Sequence, residues 1–118
     1  MENLQEQLRA RTKQFAVRII RLFRAFPKSE EARITGRRLL RSGTSVAANY
    51  RAAGRSRSRS EFVAKIGAVV EEADETVFWL ELAIEVGLVS ADRVQDLLRE
   101  ANELLRIFAA SRKTAKSG

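Results

Sequence analysis

The sequence predicts an all-α fold, an antiparallel up-down-up-down bundle of four helices. Three observations carry that reading. Apolar residues recur at helical spacing along four separate stretches. Only short polar breaks divide the stretches, so consecutive helices are antiparallel neighbours. No alternating run of apolar and polar residues carries a turn dipeptide, and no strand competes. The chain has 118 residues, one domain's worth over 1–118, with 45% hydrophobic and 31% charged residues. That is enough apolar content for a core, and one Pro and six Gly leave little room for long loops.

The first helix is expected at about 3–26. Leu4, Leu8, Phe15, Ile19, Leu22 and Phe26 fall within an arc of about 60° at about 100° per residue. Pro27 ends it. The second helix is expected at about 29–54, started by Ser29 with Glu30 and Glu31 behind it. Its inner face is small: Gly36, Gly43, Ala47 and Ala53, with Leu39, Val46 and Tyr50. Gly36 and Gly43 each cost about 1 kcal/mol of helix propensity relative to Ala. Close approach of a neighbouring helix accounts for them, with a kink at Gly43 as the alternative.

Residues 54–60 form a polar break, and Ser58 with Glu61 makes a capping box for the third helix, expected at about 59–86. Its core face is Phe62, Ile66, Val69, Val70, Ala73, Val77, Leu80 and Ile84. A second apolar stripe, Ala64, Ala68, Trp79, Leu82 and Val86, lies about 140° away at the same helical spacing. A helix with two apolar faces has neighbours on both sides. The stripe is therefore an expected oligomer interface, unless the first or fourth helix covers it. Gly87 stops this helix, and Ser90 with Asp92 starts the fourth, expected at about 90–110. Val94, Leu97, Leu98, Ala101, Leu104, Leu105 and Phe108 share one arc. The basic tail 111–118 is expected to fray.

The chain has neither Cys nor His. That removes thiol nucleophiles, imidazole acid–base chemistry and ordinary zinc sites. Ser42, Thr44 and Ser45 lie together without a base to activate them. There is no Gly-rich phosphate loop. The carboxylates of the third helix lack the Glu-x-x-His pattern of a di-metal bundle. No catalytic residue, metal ligand, cofactor or small-molecule substrate is assigned, and an enzyme is not expected. The polar start, Met1 to Arg11, is no signal peptide. No run of 18 apolar residues exists, so no membrane span is expected, and a cytoplasmic location is.

The charge is uneven. Residues 1–60 hold 15 Lys/Arg and 4 Asp/Glu, net +11, and residues 61–118 hold 7 and 11, net −4. Arg33, Arg37, Arg41, Arg51 and Arg55 share an arc of about 80° on the second helix, turned away from its small-residue face. Like charges at this spacing repel, so the fold itself does not require them. Arg57 extends the row, and Arg18 and Arg21 add to it from the first helix. Arg forks onto phosphate or carboxylate. The row fits a nucleic-acid backbone, RNA or DNA, bound without sequence reading. It also fits carboxylates of a partner protein or a neighbouring subunit, such as Glu71, Glu72, Glu75, Glu81 and Glu85, or an anionic membrane surface. No exposed aromatic residue is evident for base stacking.

Three stretches carry a resemblance: Ser42-Gly-Thr-Ser-Val-Ala-Ala-Asn49-Tyr50-Arg51, Arg57-Ser-Arg-Ser-Glu61-Phe62, and Glu71-Glu72-Ala73-Asp74-Glu75-Thr76 with Trp79-Leu80-Glu81-Leu82. Over about residues 10–110 the chain resembles the four-helix-bundle family encoded in bacterial 23S rRNA intervening sequences, also labelled S23-like. The accessory variability determinant of diversity-generating retroelements is a relative. The resemblance implies a homopentameric, ring-like barrel with a basic surface. In the retroelement relatives that surface engages RNA and a reverse transcriptase.

Overall fold

A computed structural model describes residues 3–118. Four α-helices account for almost all of them: α1 (Leu4–Arg24), α2 (Glu30–Ala53), α3 (Arg59–Glu85) and α4 (Ala91–Ser117). They form an antiparallel up-down-up-down bundle of 46 × 28 × 18 Å. Its core holds Phe15, Ile19, Leu39, Ile66, Leu80, Leu104 and Phe108, all essentially without solvent contact.

Local chemistry sets the helix starts. The Asn3 side chain accepts from the Glu6 amide at 2.8 Å, Ser29 Oγ from the Ala32 amide at 3.3 Å, and Ser58 Oγ from the Glu61 amide at 3.1 Å. The Glu61 carboxylate turns to Lys65 Nζ, 3.0 Å away. That contact holds its carboxyl below the ordinary range. Gly87 ends α3 in the left-handed region at φ 78°, which glycine enters without steric penalty. Ser90 stands at the start of α4 without a side-chain cap bond.

The end of α4 departs from the expected frayed tail: the helix continues to Ser117. Its last turns have a seat on α3. A Cβ built on buried Gly67 would lie 3.4 Å from Arg112 Nε, so the missing side chain makes room for the guanidinium.

The α1–α2 seam is close. A Cβ on Gly43 would stand 2.7 and 2.9 Å from Ile19 Cγ1 and Cγ2, and one on Gly36 would stand 3.1 to 3.2 Å from the Phe23 and Phe26 rings. Close approach, not a kink, is the reason for both glycines, since α2 runs unbroken through them. Gln5 Nε2 closes the far end of the seam on the Gly54 carbonyl at 3.2 Å. Between α2 and α3, the buried Ser42 and Thr76 hydroxyls are hydrogen-bonded at 3.0 Å, each also near a carbonyl of its own helix. Adjacent α1 and α4 approach one another least.

Substituting Gly43→Ala puts a methyl group inside contact distance of a β-branched side chain with little rotamer freedom. Overpacking of this kind costs about 1–3 kcal/mol and outweighs a helix-propensity gain of at most about 1 kcal/mol. The urea midpoint is expected to fall, and an unchanged or raised midpoint would contradict the close seam. Tyr50, the only tyrosine, packs against Phe108 with ring centroids 5.1 Å apart. Burial pushes its phenol above the ordinary 10.0, opposed in part by the charge of Arg9. The raised folded-state value means that the native state holds the proton more tightly. Its contribution to stability is complete below the unfolded-state value and is lost as pH rises through the folded-state value. Absorbance titration of native protein should give a phenolate midpoint above that of the unfolded chain.

Candidate nucleic-acid interface

The row of arginines on α2 becomes two pairs in three dimensions. Arg33 and Arg51 are 18 residues apart, about five turns or about 27 Å along the axis, and so face the same way. Arg37 lies one turn in from Arg33, whereas Arg55, expected on the same helix, falls in the turn beyond the end of α2 and leaves the helical row. All four are exposed, and among the described residues none has a carboxylate within ion-pair distance. Arg57, also exposed, adds to the Arg51 end from the turn before α3.

Arg41, between the two ends of the row, is engaged. Its Nη2 lies 3.3 Å from Glu72 Oε1 and 3.0 Å from Glu75 Oε2, both on α3 of the same chain. Glu72 is mostly buried at 17% side-chain exposure, and its Oε2 has no partner. A half-buried carboxylate needs a nearby cation, so Arg41 serves the α2–α3 seam and leaves the free row. Glu75 also accepts from Trp79 Nε1 at 3.2 Å. These contacts give two of the α3 carboxylates a structural role.

Cations of α1 divide as well. Arg9 and Lys13 join Arg51 across the close seam, around a hollow of about 320 Å³ floored by Thr44, Ala47 and Ala48. Arg24 and Lys28 join Arg33 at the other end. The α1–α2 face thus has a positive cluster at each end and a neutral waist of small residues. Arg18 and Arg21, expected to extend the row, lie in the α1–α4 groove with Arg93, on a different face. Arg11 forks onto Glu100 with two 2.7 Å bonds and reaches Glu103 at 2.9 Å. Those carboxylates raise its already high pKa further, and it ties α1 to α4.

The second stripe of α3 is exposed at its two ends and partly covered between them, where Trp79 packs against the core. Ala64 is exposed, Val86 is 56% exposed, and Ala68, Trp79 and Leu82 are half-buried. Two neighbours escaped the sequence reading. Phe78 is 52% exposed and meets Trp79 edge-on at 4.9 Å, and Ile34 of α2 is 56% exposed. The absence of exposed aromatic residues is therefore corrected. Phe78 stands among Glu71, Asp74 and Glu81 on a charged arc, where periodicity gave no apolar signal. Phe23 is only half-buried and lines the hollow at the α1–α2 turn.

Among the described residues no helix is long and apolar enough to cross a membrane. Among the same described residues no group of three His, Cys, Asp or Glu converges to hold a metal ion.

Comparison with known proteins agrees with this architecture. The crystal structure of a protein with unknown function from the S23 ribosomal protein family of Bacteroides thetaiotaomicron VPI-5482 superposes with a TM-score of 0.85 at 28% identity, covering 92% of this chain and 97% of that one. No curated protein matches the chain significantly. Residues 5–110 match the sequence profile of the family described as 23S rRNA-intervening sequence protein. With the match spanning most of α1 through α4, the chain belongs to the 23S rRNA-intervening sequence protein family.

Proposed function

We propose that the protein is a non-catalytic, nucleic-acid-binding accessory protein that grips a sugar–phosphate backbone with its α1–α2 face. The observation that carries this reading is the pair of free cation clusters, Arg9, Lys13 and Arg51 at one end and Arg24, Lys28 and Arg33 at the other. Each cluster gathers cations from two helices, and among the described residues none has a carboxylate within ion-pair distance, although Glu6 borders the first cluster. Such convergence is costly unless a polyanion supplies the missing charge. Backbone contacts position a protein on nucleic acid without reading its sequence. On this reading the clusters contact the backbone, and binding is by charge and shape.

A second reading concerns assembly and rests on a separate observation. Phe78, Trp79, Leu82 and Val86 of α3 and Ile34 of α2 leave an apolar strip uncovered at one end of the molecule. Burying that strip between copies gives a homo-oligomer, and the resemblance implies five subunits. Repeated basic faces would then multiply weak backbone contacts. An acidic protein surface is the competing partner for the α1–α2 face, and it is distinguished by binding that survives nuclease treatment.

Anisotropy titration of a structured RNA hairpin over a range of salt tests the main reading. Affinity should fall steeply with salt. Replacing Arg33 and Arg51 together with Ala should flatten the slope of log affinity against log salt by about 2, one for each lost phosphate contact. Arg41→Ala should leave the slope unchanged, because that guanidinium already serves Glu72 and Glu75. Negligible binding of RNA and DNA at low salt would remove the reading. Light scattering on Leu82→Glu and Val86→Glu variants tests the strip, where a lower mass is expected.

A further inference from the structure

The turn between α1 and α2 encloses a solvent-open cavity of about 390 Å³ with two kinds of wall. Phe23, Phe26 and Pro27 supply apolar surface, and Arg24, Lys28 and Arg33 supply three positive charges. The aromatic wall has firm backing, since the α2 backbone at Gly36 comes so near the Phe23 and Phe26 rings that an added Cβ would stand 3.1 to 3.2 Å from them. The fold accounts for one of the cations. Arg24 lies in the last turn of α1, where a positive charge is favourable. Lys28 and Arg33 have no comparable reason to be there, and among the described residues none of the three has a carboxylate within ion-pair distance. Glu30 and Glu31 stand on the first turn of α2 but do not line the cavity.

A flat apolar wall beside clustered guanidinium and ammonium groups suits a ligand with a π-face and an adjoining phosphate. The size lies in the range of about 300–1,000 Å³ that holds a small ligand. A base inside a duplex has both faces covered by its neighbours and a terminal pair exposes only one, wide face, so an unpaired base is the one that can enter a cavity of this size. We propose that this cavity takes an unpaired nucleotide at a single-stranded end of a nucleic acid lying along the α1–α2 face. The base rests against Phe23 and Pro27, and its phosphate is held by Arg24, Lys28 and Arg33. The assignment rests on the nucleic-acid reading above and adds to it a preference for unpaired ends.

Three RNAs sharing one hairpin stem test it by anisotropy at fixed salt. One is blunt, one carries a three-nucleotide single-stranded extension, and one carries an extension of the same length made of abasic ribose phosphates. The base-bearing extension should bind about tenfold tighter than the abasic one, the order expected for stacking one base on an aromatic ring. Phe23→Leu keeps the apolar volume but loses the flat ring, and it should erase that ratio while leaving the blunt hairpin's affinity unchanged. Lys28→Ala, at an exposed position, should weaken all three RNAs, because Lys28 belongs to the backbone-gripping cluster, and the two extended ones more than the blunt one. Equal affinity of the base-bearing and abasic RNAs, or an undiminished ratio in Phe23→Leu, overturns the pocket while the wider reading stands. Failure of all three RNAs to bind at low salt overturns both. Adenosine monophosphate, titrated alone, separates the two sources of this chemistry. Binding of the free nucleotide as tight as that of the extended hairpin would overturn the assignment to a strand end.

Discussion

The contact between Gly43 and Ile19, where α2 has no side chain and α1 presses a β-branched one into the gap, governs the surface above it. Two helices with larger residues at that seam would stand further apart, as helix spacing follows the side chains at the contact. Arg9 and Lys13 of α1 would then no longer border the same hollow as Arg51 of α2. The same holds at the turn, where Gly36 lets α2 approach Phe23 and Phe26 and brings Arg33 near Arg24 and Lys28. Packing and charge are thus two faces of one arrangement. The inner side of α2 is small so that α1 can close on it, and closing on it gathers the cations of both helices on the outer side.

Charge is sorted by reach as much as by position. Residues 59–85 hold seven carboxylates against Arg59 and Lys65, so α3 is an acidic rod beside a basic one. Were its carboxylates spread evenly along the shared seam, the whole arginine row would be neutralised. Among the described residues Glu72 and Glu75 are the α3 carboxylates that pair with α2, both through Arg41. Glu71, Asp74, Glu81 and Glu85 are exposed on the outer side of α3. The partly buried Glu72 explains why Arg41 is held: a carboxylate losing its water needs an opposite charge more than an exposed one does. On α1, Arg11 is drawn to Glu100 and Glu103 in the same manner. Among the described residues the remaining cations of α1 and α2 have no carboxylate within ion-pair distance.

Much of this was legible in the chain. Four helices follow from the apolar spacing, and their starts at Ser29 and Ser58 follow from the chemistry of capping. The outward turn of Ala64, Leu82 and Val86 follows from a second stripe that the core does not need. Four features were hidden for definite reasons. The last turns of α4 are held by a partner distant in sequence, because Gly67 on α3 is what admits Arg112. The engagement of Arg41 depends on a long side chain swinging across a groove, while a helical wheel gives only the direction in which its stem leaves the backbone. Arg18 and Arg21 share a helix with Arg24 but face α4, and the wheel of one helix does not say which neighbour lies on which side. Phe78 and Phe23 were missed because a single aromatic residue on a charged arc, or at the edge of a core face, leaves no periodic trace.

The division of the row into two clusters changes what kind of polyanion the face can select. A continuous stripe would follow any flexible strand, one phosphate after another. Two clusters about 27 Å apart, with a neutral waist of Thr44, Ala47 and Ala48 beginning beside one of them, make contact at two separated points. A flexible single strand must lose conformational freedom to span that distance, and the loss opposes binding. A base-paired stem is stiff already and presents phosphates at both points without that loss. On this reading the face favours a stem through rigidity rather than sequence. The cavity at one end of the face, where Phe23 and Pro27 offer apolar surface, is then placed for the residue that a stem leaves unpaired where it stops.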